Sequence, residues 1–214
     1  MSHRLLIVDD HPIVRRGLRE LVADEPDLEV CGEADDVASA LEQLENVRPD
    51  VVVVDLSLKR GHGLELIKAI KAQGKRLKIL VSSMHDESLY AEHAIRCGAS
   101  GYINKQEPPD EIINAIRQVL RGEIYLNDKV ADLLLRRLSN GHSIGEDPVE
   151  TLTNRELEVF EMIGRGLSVK QIAGRLGLSQ KTIEAHRDRI RIKLTLNNSL
   201  EVARRAMQWT LEGH

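Results

Sequence analysis

The sequence predicts an α/β doubly wound (βα)5 domain joined by a linker helix to an all-α four-helix helix-turn-helix domain. Three observations carry that prediction. From Arg4 to about Leu120, short aliphatic and β-branched runs alternate with amphipathic helical patterns, as in a parallel sheet covered on both faces. Beyond Leu120 the strand-like runs stop. Late in the chain, two helical patterns flank a short Gly-containing turn.

The elements follow in order. Leu5-Leu6-Ile7-Val8 makes the first strand, and Ile13, Leu18, Leu21 and Val22 mark the first helix, with Asp10 placed to cap it and Pro12 in its first turn. Leu28-Glu29-Val30-Cys31 is followed by a helix with Val37, Leu41 and Leu44, and Val51 to Val54 by one with Leu64, Ile67 and Ile70. Ile79-Leu80-Val81 leads to Leu89, Ala94 and Ile95, and Gly101-Tyr102-Ile103 to Ile112, Ile113, Ile116 and Leu120. A further helix carries Val130, Leu133, Leu134 and Leu138, after which Ser139 to Pro148 reads as a linker. Thr153-Asn154-Arg155-Glu156 fits a capping box ahead of Val159, Phe160 and Ile163. Val169 to Leu176, the Gly177-Leu178 turn, a long helix opened by Ser179 and ending near Leu194, and a last helix from Ser199 to Leu211 complete the chain. The expected domains are residues 1–122, a linker with one helix over 123–148, and residues 149–214.

Composition narrows the function. With 42% hydrophobic and 30% charged residues, the chain is globular rather than disordered or collagen-like, and 2% aromatics make its core aliphatic. A net charge of -4 argues, at face value, against a nucleic-acid partner. Cys31 and Cys97 lack metal-type spacing and are expected to be free buried thiols in a reducing compartment. No apolar run approaches the roughly 18 residues of a spanning helix, and Asp9-Asp10 interrupt the N-terminal apolar segment. A cytoplasmic protein without a membrane partner is expected.

In an open α/β sheet, ligands bind beyond the carboxyl ends of the strands. There the sequence places Asp9-Asp10, Asp55, Ser82-Ser83 and Lys105. Converging carboxylates repel one another unless a divalent cation sits among them, and oxygen donors of this kind select Mg2+. An Asp beside Mg2+ can attack phosphorus, with Lys105 and a Ser hydroxyl holding the new phosphoryl oxygens. Strand-end aspartates can also merely cap the next helix, and for Asp10 that reading stays open.

Asp9-Asp10, Asp55 after four valines, Ser83-Met84-His85 and Gly98-Ala99-Ser100-Gly101-Tyr102-Ile103-Asn104-Lys105 resemble the receiver domain of bacterial two-component response regulators. The resemblance implies that Asp55 accepts a phosphoryl group from a sensor histidine kinase. It implies Mg2+ held by Asp10, Asp55 and the backbone carbonyl of Ser57, with Asp9 acting through water. Ser83 would be the switch hydroxyl, Tyr102 the coupled aromatic and Lys105 the phosphate-pairing cation. One departure stands out: Lys59-Arg60-Gly61-His62-Gly63 occupies the loop where such regulators usually carry Pro-Gly. Its added positive charge could tune kinase docking or phosphoryl lifetime, or simply be solvated.

The charge is unevenly distributed. Residues 149–214 hold 11 Lys and Arg against 8 Asp and Glu, and within Ser168 to Lys193 seven basic residues face only Glu184 and Asp188. A basic stripe on a helix-turn-helix is the footprint of duplex binding. Leu152-Thr153-Asn154-Arg155-Glu156, Gly166-Leu167-Ser168, Gln171-Ile172-Ala173, Leu176, Ser179, Lys181-Thr182-Ile183, His186-Arg187 and Lys193-Leu194 resemble the LuxR-type helix-turn-helix. Together with the receiver-like half, this spans the chain and points to the NarL/FixJ family of response regulators.

By that resemblance, Ser179 to Leu194 is the recognition helix in the major groove of promoter DNA. Lys181, Thr182, Arg187 and Lys193 are candidates for phosphate or groove contacts, His186 likewise, and Glu184, Ala185 and Asp188 for base-facing positions. Glu184 and Asp188 read equally well as a surface pair balanced by Lys181 and Arg191. Ile172, Ala173, Leu176, Ile183 and Ile190 are core by periodicity, and the scattered His3, His11, His62, His85, His93 and His142 suggest no metal site. The expectation is a transcription factor, not an enzyme, that forms a homodimer when phosphorylated through a contact such as the last helix, with double-stranded DNA and RNA polymerase as further partners. A phosphohydrolase with an Asp nucleophile would carry a second Asp where Ser57 stands, and a nucleotide-binding turn would not read Asp9-Asp10-His11-Pro12. A regulator independent of phosphorylation shares the same architecture.

Overall fold

The computed structural model describes residues 2–74, 77–84, 87–139 and 148–211. The chain forms two compact units, Met1–Leu135 and Arg136–His214. The first contains β1 (His3–Val8), α1 (Pro12–Ala23), β2 (Leu28–Ala34), α2 (Val37–Val47), β3 (Val51–Val54), α3 (Gly63–Ala72), β4 (Lys78–Ser83), α4 (Glu87–Cys97), β5 (Gly101–Asn104) and α5 (Pro109–Leu120). A further helix, α6 (Asp128–Ser139), contains the division between the units.

All strand pairs are parallel, in the order β2-β1-β3-β4-β5. The chain leaves β1 for β2 on one side and then crosses to β3 on the other, so the two carboxyl ends at this switch are neighbours. Register makes the point sharply. Val8 pairs with Val54, which sets Asp9 beside Asp55, and the Asp55 amide donates to the Val8 carbonyl at 2.8 Å. The valines of β3 are fully buried because helices cover both faces of a central strand, which is why the run is continuous rather than alternating. One face packs Leu5, Ile7, Val53 and Leu80 against Leu18, Val22, Ile113 and Ile116.

Several expectations are corrected. Asp10 does not cap α1: His11 occupies that position without a side-chain cap bond, while Asp9 Oδ1 accepts the His11 amide at 2.8 Å. Ile13 is 86% exposed, since Leu18 and Val22 alone carry the fully buried stripe of α1. β2 continues past Cys31 to Ala34 because its pairing with β1 shifts register between Leu5 and Leu6, leaving Cys31 outside the ladder. Cys31 and Cys97 are free but only half-buried, and burial pushes both thiols up. The edge strand β5 is covered by Tyr125, whose carbonyl accepts the Tyr102 amide at 2.9 Å and whose amide reaches the Ser100 carbonyl at 3.2 Å.

After α6, the described residues of the second unit form a 3-10 turn (Pro148–Thr151), then α7 (Asn154–Gly164), α8 (Val169–Leu176), α9 (Gln180–Lys193) and α10 (Ser199–Leu211). The capping box of Thr153 and Glu156 forms, a second joins Ser168 to Gln171, and the Ser179 hydroxyl accepts the Thr182 amide. Gly177 ends α8 at φ 63°, the left-handed conformation that a tight helix-to-helix turn needs. Phe160, Ile163, Ile172, Ile183, Ile190, Val202, Ala206 and Trp209 form the core. The expected linker residues 140–147 lie outside the described residues. No helix among the described residues is long and apolar enough to cross a membrane.

Candidate functional site

Asp9 and Asp55 are each 3% exposed at the adjacent ends of β1 and β3. Lys105, immediately after β5, places Nζ 2.6 Å from Asp9 Oδ2 and 2.6 Å from Asp55 Oδ2. Its amide donates to the Ser83 carbonyl at 2.9 Å, which fastens the lysine to the end of β4. Burial raises the Asp55 carboxyl above the ordinary aspartate value, with the Lys105 charge pulling the other way and the Asp9 charge reinforcing the rise. The Ser57 amide donates to Asp55 Oδ1 at 3.3 Å, so the following loop folds back on the carboxylate.

Ligand atoms of Asp9, Asp10, His11 and Asp55 all lie within 4.8 Å of one another. Three carboxylates outnumber the Lys105 ammonium that bonds two of them, and carboxylate oxygens are hard donors, so the cluster suits a divalent, oxygen-seeking cation. His11 joins this group although it is isolated from other histidines in sequence: its Nδ1 stands 2.7 Å from Asp10 Oδ1 and 3.3 Å from Asp9 Oδ1. Adjacency to the aspartate pair was the available signal. Beside the carboxylates opens a cleft of about 490 Å3, with Asp9, Ser57 and Lys105 at its polar end and Val14, Leu18 and Ile112 on its apolar walls.

Ser83 and Tyr102 are fully buried on the adjacent strands β4 and β5. In the loop after Asp55, Lys59 and Arg60 are exposed, with Lys59 Nζ 3.9 Å from Asp35 Oδ2. His62 caps α3 by accepting the Leu64 amide at 3.2 Å. Gly63 was not anticipated as a site residue. A Cβ there would stand 2.2 Å from the Asp55 carbonyl oxygen, so only glycine lets α3 begin directly beneath the Asp55 backbone. His85 and His142 lie outside the described residues.

On α9 the exposed face carries Lys181, Glu184, Ala185, Asp188 and Arg189, with Thr182 and Arg187 half-buried beside it. Arg189 is a further exposed cation on this face. Glu184 pairs with Arg187 at 3.0 Å and Asp188 with Arg191 at 3.7 Å, so both acids are partnered along the helix surface. His186 stands apart from this face: it falls between Ile183 and Ile190 on the inward stripe, its Nδ1 is buried, and burial first, then Arg189, lowers its pKa. Lys193 makes contacts within the unit. Its Nζ bonds Glu156 Oε2 at 2.7 Å and the Thr151 carbonyl at 3.0 Å, closing α9 onto the start of α7.

Residues 5–117 match the family described as response regulator receiver domain, and residues 150–206 the family described as bacterial regulatory proteins, luxR family. The chain is 35% identical over 211 residues to the oxygen regulatory protein NreC of Staphylococcus epidermidis, covering 96% of this chain and 97% of that protein. It is 32% identical to the transcriptional regulatory protein DegU of Brevibacillus brevis, with 91% and 89% covered. Among solved structures, RcsB of Salmonella enterica serovar Typhimurium, bound to promoter rprA with the phosphomimetic BeF3-, aligns with a TM-score of 0.62 at 26% identity over 95% of this chain and 98% of that one. A LuxR-family two-component response regulator from Aurantimonas sp. SI85-9A1 aligns with a TM-score of 0.61 at 34% identity, over 65% of this chain and 99% of its own.

Proposed function

Because this chain belongs to the NarL/FixJ family of two-component response regulators, we propose that phosphoryl transfer from a sensor histidine kinase to Asp55 governs its binding to promoter DNA. It is a DNA-binding transcriptional regulator built from a receiver and a LuxR-type helix-turn-helix, not an enzyme. The proposed division is a receiver over 1–122, a linker over 123–148 and the DNA-binding domain over 149–214.

The observation that carries the site assignment is Lys105 Nζ at 2.6 Å from both Asp9 and Asp55, beyond the ends of β1 and β3. Asp55 Oδ attacks phosphorus of the phosphohistidine, the P–N bond breaks, and its electron pair leaves with the imidazole, which takes up a proton. Lys105 and the Ser83 hydroxyl then face the new phosphoryl oxygens, and Tyr102 follows Ser83 inward. Asp10, Asp55 and the Ser57 carbonyl would hold Mg2+, with Asp9 acting through water. The ion supplies neutralisation of phosphoryl charge.

On the DNA side, Lys181, Thr182 and Arg187 contact phosphates or the groove edge, and Glu184, Ala185 and Asp188 face bases, while His186 and Lys193 act by positioning α9. Phosphorylation favours a homodimer whose recognition helices meet adjacent half-sites. Support for this comes from RcsB, whose structures include two dimers bound to two parallel DNAs. The regulator works in the cytoplasm, with RNA polymerase as its downstream partner.

The test is selection of bound genomic fragments with and without acetyl phosphate, wild type beside Asp55→Asn. Enrichment that requires both the phosphodonor and Asp55 is expected. An Asp55→Asn protein that still responds to acetyl phosphate would make the switch independent of this residue.

A further inference from the structure

We propose that Glu87 and Asn127 form a latch through which the phosphoacceptor site controls the linker helix α6; this rests on the reading of Asp55 given above. Glu87 is the first residue of α4 and is 8% exposed. A buried carboxylate needs donors, and it finds them on two other segments. Its Oε1 accepts the backbone amide of Asn104 at 2.6 Å, and its Oε2 accepts the side-chain amide of Asn127. The same Asn127 side chain turns its oxygen to the Val130 amide at 2.9 Å and so caps the N-terminus of α6.

The connection to the site is short. Asn104 immediately precedes Lys105, whose Nζ bridges Asp9 and Asp55 and whose amide is bonded to the Ser83 carbonyl. Two residues before Asn104, Tyr102, together with Ser100 just ahead of β5, grips Tyr125, and the Tyr125 hydroxyl donates to Glu111 on α5 at 3.2 Å. Gly101 permits that grip, since a Cβ on it would stand 2.9 Å from the Tyr125 carbonyl oxygen and Cβ. The segment leading into α6 is therefore fastened to β5, which carries Tyr102 and runs directly into Lys105, and to Glu87 at the start of α4. When a phosphoryl group draws Lys105 off the carboxylates, the Asn104 amide moves with it. Glu87 then either follows, pulling away from Asn127, or remains buried with a donor missing, and both outcomes loosen the α6 cap.

The test separates capping from latching. Asn127→Asp keeps a cap acceptor of equal quality but sets a second carboxylate against Glu87, and Asn127→Ser keeps the acceptor while deleting the amide donor. Glu87→Gln combined with Asn127→Asp restores a donor–acceptor pair with the roles exchanged. Hydrogen exchange at Val130 and Ala131 is measured on the full chain in Mg2+, with and without beryllofluoride. Roughly tenfold faster exchange is expected for Asn127→Asp and Asn127→Ser without beryllofluoride, for wild type with it, and near-wild-type rates for the double variant. Unchanged exchange in both single variants overturns the latch. So does beryllofluoride that protects the loop after Asp55 yet leaves α6 unaffected, in which case the Asp55 reading stands. Beryllofluoride that alters neither region removes the Asp55 reading and the latch together.

Discussion

Lys193→Ala distinguishes a DNA contact from a structural tie. The lysine gives Glu156 Oε2 a bond of 2.7 Å and the Thr151 carbonyl one of 3.0 Å, and Glu156 is 2% exposed. Removing the ammonium leaves a buried carboxylate supported by the Thr153 amide at 2.8 Å. Breaking a buried pair from one side costs about 3–5 kcal/mol. The Lys193 side chain is itself 34% exposed, so water replaces part of what is lost. About 2 kcal/mol remains, or roughly a 10 °C lower Tm for a helical unit of this size.

The pH dependence gives a second readout. Burial raises the Glu156 pKa, yet Lys193 and Thr153 together outweigh burial and hold the carboxyl below the ordinary glutamate value. Its contribution is therefore complete above the unfolded value, about 4.3, and is lost as pH falls through the lower folded value. Without Lys193 the lowering weakens, so the variant should lose less stability than wild type as the pH falls below about 4.3. Guanidinium unfolding of the full chain, followed by fluorescence of the single Trp209, reports this unit, because that ring is 5% exposed and sits 5.7 Å from Phe160. An unchanged midpoint, together with a salt slope of DNA binding reduced by about one, would refute the reasoning and put Lys193 on a phosphate.

Other substitutions test the receiver unit. Gly63→Ala should cost about 2–3 kcal/mol in urea unfolding and weaken the beryllofluoride response, because its Cβ meets backbone at 2.2 Å that cannot turn aside. Ile13→Ser should change stability by less than about 0.5 kcal/mol, whereas Leu18→Ala, at 6% exposure, should cost about 2–4 kcal/mol; equal losses would contradict the observed face of α1. Lys105→Ala leaves Asp9 and Asp55 without their shared cation, so calorimetry in EDTA should show a loss of about 3 kcal/mol and a larger rise on adding Mg2+ than in wild type. An equal Mg2+ response in the two proteins would place the ion elsewhere.

Much of this was legible beforehand because its causes are local. Val51–Val54 reads as a covered strand from four apolar residues alone, and Ser179, Gly177 and the Thr153–Glu156 box mark helix ends through their own side chains and backbone. Where local signals compete, packing decides. Asp10 has the chemistry of a cap, but the chain enters α1 one residue later, and Ile13 has the right residue type on the wrong face. His186 and Lys193 belong to a basic helix whose charges look alike in one dimension, yet one lies on its inner stripe and the other meets a glutamate 37 residues away.

The order of strands and helices, the separation of an acidic α/β half from a basic helical one, and the strand-end residues Asp9, Asp10, Asp55, Ser83 and Lys105 all follow from signals local to the chain. Periodicity, caps and residue charge suffice for that, since each acts within a turn or a strand. Packing of the whole chain is what brings Lys105 to Asp9 and Asp55 from 96 and 50 residues away, and Lys193 to Glu156. The same holds for Tyr125 closing the edge of β5 and for Glu87 joining Asn104 to the cap of α6. The physical reason is common to all of them. A buried charge or an unpaired backbone group must find a partner, but which partner reaches it depends on strand register and helix facing, and those are properties of the packed chain.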